Sequence, residues 1–101
     1  MHLVQILLPL FDNDGIPLPQ AEFGRVRQEL THRFGGLTAF TRAPAEGLWR
    51  QEGATTRDDI VVIEVMTKEV DGGWWAAYRR DLERRFRQDT VVVRAQTVRL
   101  L

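Results

Sequence analysis

The sequence predicts a ferredoxin-like βαββαβ sandwich, an α+β fold with an antiparallel sheet of order 4-1-3-2 and two helices on one face. Three observations lead there. Four short runs are aliphatic and β-branched. Two other segments carry apolar residues at spacings of 3, 4 and 4. The two kinds of segment alternate as strand, helix, strand, strand, helix, strand. Right-handed crossovers then select this topology over its mirror image.

The first run, "HLVQILLPL" (2–10), reads as a buried strand. The apolar start lacks a basic flank and a small-residue cleavage site, so it is expected to be structural rather than a signal peptide. "FDNDGIPLP" (11–19) is turn chemistry. A helix follows from Pro19, with Phe23, Val26, Leu30 and Phe34 on one stripe. Gly24 weakens that helix, and its presence there points to a close packing contact. "FGG" (34–36) ends the helix, because glycine just past the last turn is a common stop. It is not a phosphate loop, which would need its glycines before a helix N-terminus.

"LTAFTRA" (37–43) alternates and reads as the second strand, which "LWRQ" (48–51) can resume after the turn "PAEG". "EGATTRDD" (52–59) is a loop. "IVVIEVMT" (60–67) is the clearest strand in the chain. Asp71 caps a second helix. Its stripe is Trp75, Tyr78, Leu82 and Phe86, and it ends near Gln88. "TVVVRAQTVRL" (90–100) is the last strand.

Residues 1–101 are expected to form one domain. The chain has 44% apolar and 28% charged residues, as ordinary folded domains do. No run of about 18 apolar residues exists, so no membrane partner is expected. Zero net charge argues against bulk nucleic-acid binding. Residues 1–73 nevertheless carry 7 basic against 11 acidic side chains, and residues 74–101 carry 7 against 3. The absence of cysteine fits a reducing, cytoplasmic setting and removes thiolate chemistry. The absence of serine removes serine triads. His2 and His32 have no partner at metal-ligand spacing, so neither a metal nor a cofactor is expected. Asp58 and Asp59 are adjacent, which points them to opposite sides of a strand.

The fold leaves one sheet face uncovered. Alternation places Val61, Ile63 and Val65, with Val4, Ile6, Leu8, Val91, Val93 and Ala95, toward the helices. Leu3, Leu7, Val62, Met66, Val92 and Val98 then share the open face with Gln5, Glu64, Arg94 and Gln96. So broad an apolar face predicts a covering partner, and a second copy packed sheet to sheet is the simplest one. Buried under such a copy, Glu64 and Arg94 are expected to pair. They are also the candidate catalytic residues, Glu64 as base and Arg94 as anion holder. Gln5, Gln96, Arg42 and Trp49 are the ligand-binding candidates.

The residues Phe34, Gly35, Gly36, Leu37, Thr38, Gly47 and Trp49 give the pattern FGG-x-T…G-x-W. Over roughly residues 30–67 the chain resembles a group of small bacterial proteins sharing this pattern. The resemblance implies a ferredoxin-like fold and assigns no catalytic residue. The "TRAPAE" stretch before Gly47 departs from the shared pattern.

Two functional readings follow from the residues. One is a homodimeric binding or accessory module that uses the open face, with a small molecule as a further partner. The other is a small cofactor-independent enzyme, an isomerase, lyase or monooxygenase-like activity, with an acid–base site on that face. Composition alone does not choose between enzyme and binder.

Overall fold

The computed structural model describes residues 1–42, 50–51, 54–55 and 60–101, with the backbone alone at 40–42, 50–51 and 54–55. The elements run β1 (His2–Pro9), α1 (Gln20–Phe34), β2 (Thr38–Arg42), β3 (Arg50–Gln51), β4 (Ala54–Thr55), β5 (Ile60–Thr67), α2 (Gly72–Arg85) and β6 (Val92–Thr97). The main sheet has the order β2-β5-β1-β6, with every neighbouring pair antiparallel. Counting its four strands along the chain, this is the expected 4-1-3-2 order read from the other edge. β3 and β4 form a two-residue ladder of their own, Arg50 opposite Thr55 and Gln51 opposite Ala54. Residues 50–51 therefore do not extend β2 in the main sheet, and part of the expected loop is strand.

The core follows the two sequence periods. Val4, Ile6 and Leu8 of β1 and Val61, Ile63 and Val65 of β5 are buried in the same cluster as Phe23, Val26 and Leu30 of α1 and Trp75, Tyr78 and Leu82 of α2. Side chains of one parity on the central strands thus meet the apolar stripes of both helices, which places the helices on one face. Phe86, just past α2, packs edge-on against Phe23 at a ring distance of 5.1 Å.

The helix ends are closed by local chemistry. Gly35 has φ of 82° and its N–H donates to the Thr31 carbonyl, so "FGG" is a left-handed helix stop. Asp71 Oδ1 accepts from the Trp74 N–H at the start of α2. At the end of α2 the Gln88 N–H reaches the Glu83 carbonyl and the Arg87 N–H reaches Arg84. This double closure holds Arg87 at φ of 51°, a conformation in which glycine is usual. It also ends α2 at Arg85, short of Gln88.

Gly24 does not mark the packing contact expected of it. A Cβ placed on Gly24 would meet nothing within 4 Å, so this glycine serves no close contact.

Candidate functional site

The face of the sheet away from the helices is organised by register. β1 lies between β5 and β6, and three rows cross it. Leu3 faces Met66 on one side and Gln96 on the other; Leu7 faces Val62 and Val92. Between these two rows Gln5 faces Glu64 and Arg94, and beyond Glu64 the row reaches Thr38 of β2.

Gln5 joins its neighbours into one chain of hydrogen bonds. Its Nε2 donates to Glu64 Oε2 at 2.6 Å, and its Oε1 accepts from Arg94 Nε at 2.9 Å. Glutamine suits this place because its amide has a donor end and an acceptor end. A cation on one side and a carboxylate on the other fix which end points where. Within one chain Glu64 and Arg94 are thus bridged by Gln5 rather than paired directly. Two strand spacings, roughly 10 Å, separate their strands, and Gln5 spans the gap. A shallow depression lined by Gln5, Arg94, Ala95 and Gln96 opens at the β6 end of the row. Both ends of the Gln5 amide are engaged, whereas no described residue takes the Arg94 Nη hydrogens or the second Glu64 oxygen.

The apolar surroundings are uneven. Met66 and Val92 are exposed, and Leu3, Leu7 and Val98 are half-buried. Val62, expected in the open, is buried with 2% of its surface accessible, although it stands apart from the core cluster. Of the other candidates, Gln96 lies beside Leu3 on the exposed strand β6. The backbone of Arg42 sits at the end of β2 opposite Ile60. Trp49, Asp58 and Asp59 lie outside the described residues.

A second depression lies on the helix side, where the end of α1 meets the start of α2. Arg33, Phe34, Glu69, Trp74 and Trp75 line it with two neighbours. The Arg33 guanidinium stands 4.1 Å from the centre of the Trp74 ring, and Trp74 stacks on Tyr78. Trp75 is buried in the core and Trp74 is half-buried. His32 is exposed in the last turn of α1, and His2 Nδ1 lies 3.1 Å from the Lys68 carbonyl oxygen. Among the described residues no cluster of His, Cys, Asp and Glu could hold a metal ion. Likewise no described helix is long and apolar enough to cross a membrane.

A charge cluster between the helices was not visible from sequence. The Arg85 side chain is only 9% exposed. It donates to Glu22 at 3.1 Å and to Glu29 at 2.8 Å on α1, and to Asp81 at 3.2 Å on its own helix. Tyr78 Oη also donates to Glu29, at 2.9 Å. The hydrogen bond from Arg85 holds Glu22 below the usual glutamate range, against the opposing push of burial. Burial first, and then the hydrogen bond to the Glu29 carboxylate, raise the Tyr78 phenol far above its ordinary value. The i, i+4 spacing of Asp81 and Arg85 was a signal, but the two partners on α1 become neighbours only once the helices pack.

No family model and no curated protein sequence matches the chain. Two solved structures of a phage SAM lyase are similar to it. The one in complex with S-methyl-5′-thioadenosine has a TM-score of 0.60 at 19% identity, over 94% of this chain and 79% of that chain. The one in the apo state has a TM-score of 0.63 at 14% identity, over 94% and 78%. At such identities the likeness shows a shared fold: an antiparallel α+β arrangement that a phage SAM lyase also adopts.

Proposed function

We propose that this chain is a self-associating binding module on a ferredoxin-like frame, with the open sheet face as its working surface. The row Arg94–Gln5–Glu64, set among apolar side chains on the face the helices leave bare, carries this reading. It offers a guanidinium at one end and a carboxylate at the other. That pattern fits a small molecule with an anionic group at one end and a cationic or hydrogen-bond-donating group at the other.

A second reading is supported by the likeness in fold to the phage SAM lyase structures. On it the chain is a small enzyme needing no cofactor, with Glu64 as base and Arg94 holding an anionic group of the substrate. S-adenosylmethionine is then the first substrate to try.

Thermal melts with S-adenosylmethionine, S-methyl-5′-thioadenosine and a set of free amino acids test both readings. The binding reading expects a compound that raises the wild-type Tm and fails to raise that of Arg94→Leu. A compound that stabilises wild type and Arg94→Leu equally binds elsewhere and contradicts it. Turnover of S-adenosylmethionine that disappears in Glu64→Gln would favour the enzyme.

A further inference from the structure

Among the described residues no strand pairs with the outer edge of β6, and its side chains are self-complementary. Val92, Arg94, Ala95, Gln96 and Thr97 are all exposed, and β1 is the neighbour of β6 in the sheet. Natural edge strands are usually guarded by proline, lysine or an inward-pointing charge. Residues 92–97, VVRAQT, contain no proline or lysine. Their charge, Arg94, is on the open face, while Val93, Ala95 and Thr97 point to the helix side.

The backbone is in phase for pairing. The Val98 N–H donates to the Met1 carbonyl at 2.9 Å, and His2 stands opposite Thr97. Hydrogen-bonded positions alternate in an antiparallel ladder. Val92, Arg94, Gln96 and Val98 therefore bond inward to β1, and Val93, Ala95 and Thr97 turn their N–H and C=O groups outward.

The geometry points to a two-fold edge-to-edge dimer in which β6 pairs antiparallel with β6 of a second copy, centred on Ala95. In that register Val92 stands opposite Val98 of the second copy, and Arg94 opposite its Gln96. On the helix side Val93 meets Thr97, and Ala95 meets Ala95. Each outward N–H and C=O of residues 93, 95 and 97 finds its counterpart. The neighbouring in-phase registers are worse. Centring on Arg94 sets two guanidiniums face to face, and centring on Gln96 sets Arg94 against Val98. Like charges directly opposite destabilise a pair.

This dimer specifies the geometry of the self-association proposed above. It leaves the open face uncovered and extends it into one eight-stranded sheet. The row Glu64–Gln5–Arg94 continues into the second copy's Gln96, whose amide oxygen accepts from the Nη hydrogens of Arg94. The depression lined by Gln5, Arg94, Ala95 and Gln96 lies on this seam. Each site is thus completed by a residue of the second copy. The seam is short, so the dimer is concentration-dependent.

Sedimentation equilibrium over a concentration series tests it. The wild-type chain, 11.7 kDa, should approach twice that mass as concentration rises. Ala95→Pro removes the central outward N–H, which points away from β1 and pairs with no described strand of the same chain. It should weaken the dimer at least tenfold while circular dichroism and the melting curve remain those of a folded chain. Gln96→Arg places like charges across the seam and should weaken the dimer. Gln96→Glu places a carboxylate opposite Arg94 and should tighten it several-fold. A wild type that stays monomeric throughout overturns both the edge dimer and the self-association reading. If a dimer forms that Ala95→Pro and Gln96→Arg leave intact but Met66→Lys dissolves, the copies pack face to face. The edge dimer is then overturned and self-association survives.

Discussion

Gln5 donates to Glu64 at 2.6 Å across the β1–β5 ladder, and so holds a carboxylate in place on a sheet face of mixed polar and apolar side chains. Gln5→Leu would leave the Glu64 oxygen and the Arg94 Nε without their shared partner. A loss of about 1 kcal/mol is expected from denaturant unfolding. Adding Glu64→Leu removes the stranded carboxylate, so the double variant should be less destabilised than the two single losses summed. Additive losses would show that the bond contributes nothing.

The Arg85 cluster should make stability depend on acid. Glu22 titrates below the usual glutamate value in the folded chain because Arg85 hydrogen-bonds to it. A carboxyl whose folded pKa is depressed adds stability that is present above its unfolded pKa, about 4.3. That stability is lost as pH falls from there through the folded value. Unfolding measured between neutral pH and pH ~3 should show this decline. Glu22→Gln should have a shallower slope across the same window.

Tyr78 should act in the opposite sense at alkaline pH. Its folded pKa is raised, so its contribution is complete below the unfolded value of about 10 and declines as pH rises beyond it. Ultraviolet titration should show no tyrosinate at pH ~10 while the chain stays folded. Tyr78→Phe should remove this part of the alkaline loss, though it also removes the hydrogen bond to Glu29.

Two glycines should respond oppositely to alanine. Gly24 lies inside α1 with open space where a Cβ would go, so Gly24→Ala should stabilise by about 1 kcal/mol. Gly35 has φ of 82°, so Gly35→Ala should destabilise by about 1 kcal/mol although its surroundings are equally open. Thermal unfolding of both variants checks the pair.

The frame was legible because its signals are local and periodic. The stripe Phe23, Val26, Leu30 and the alternation of Val61, Ile63, Val65 each name a buried face within a few residues. Membership of the open face was legible for the same reason. What the sequence could not supply was register and contact. Glu64 and Arg94 share a face, yet only the pairing of β1 with both β5 and β6 shows that Gln5 stands between them. Val62 has the alternation of an exposed residue and is buried all the same. Gly24 suggested a close contact, but helix packing leaves that side empty. Arg85 meets Glu22 and Glu29 across 63 and 56 residues of sequence, a separation no spacing rule covers.

The row on the open face is the proposed binding surface. Amide chemical-shift mapping of the ¹⁵N-labelled chain, titrated with S-adenosylmethionine and then with the compounds that raise its Tm, tests this most directly. The largest shifts are expected on Gln5, Glu64, Arg94 and Gln96. Shifts confined to Arg33, Thr67 and Trp74 around the helix-side depression, or no shifts with any of these compounds, would contradict it.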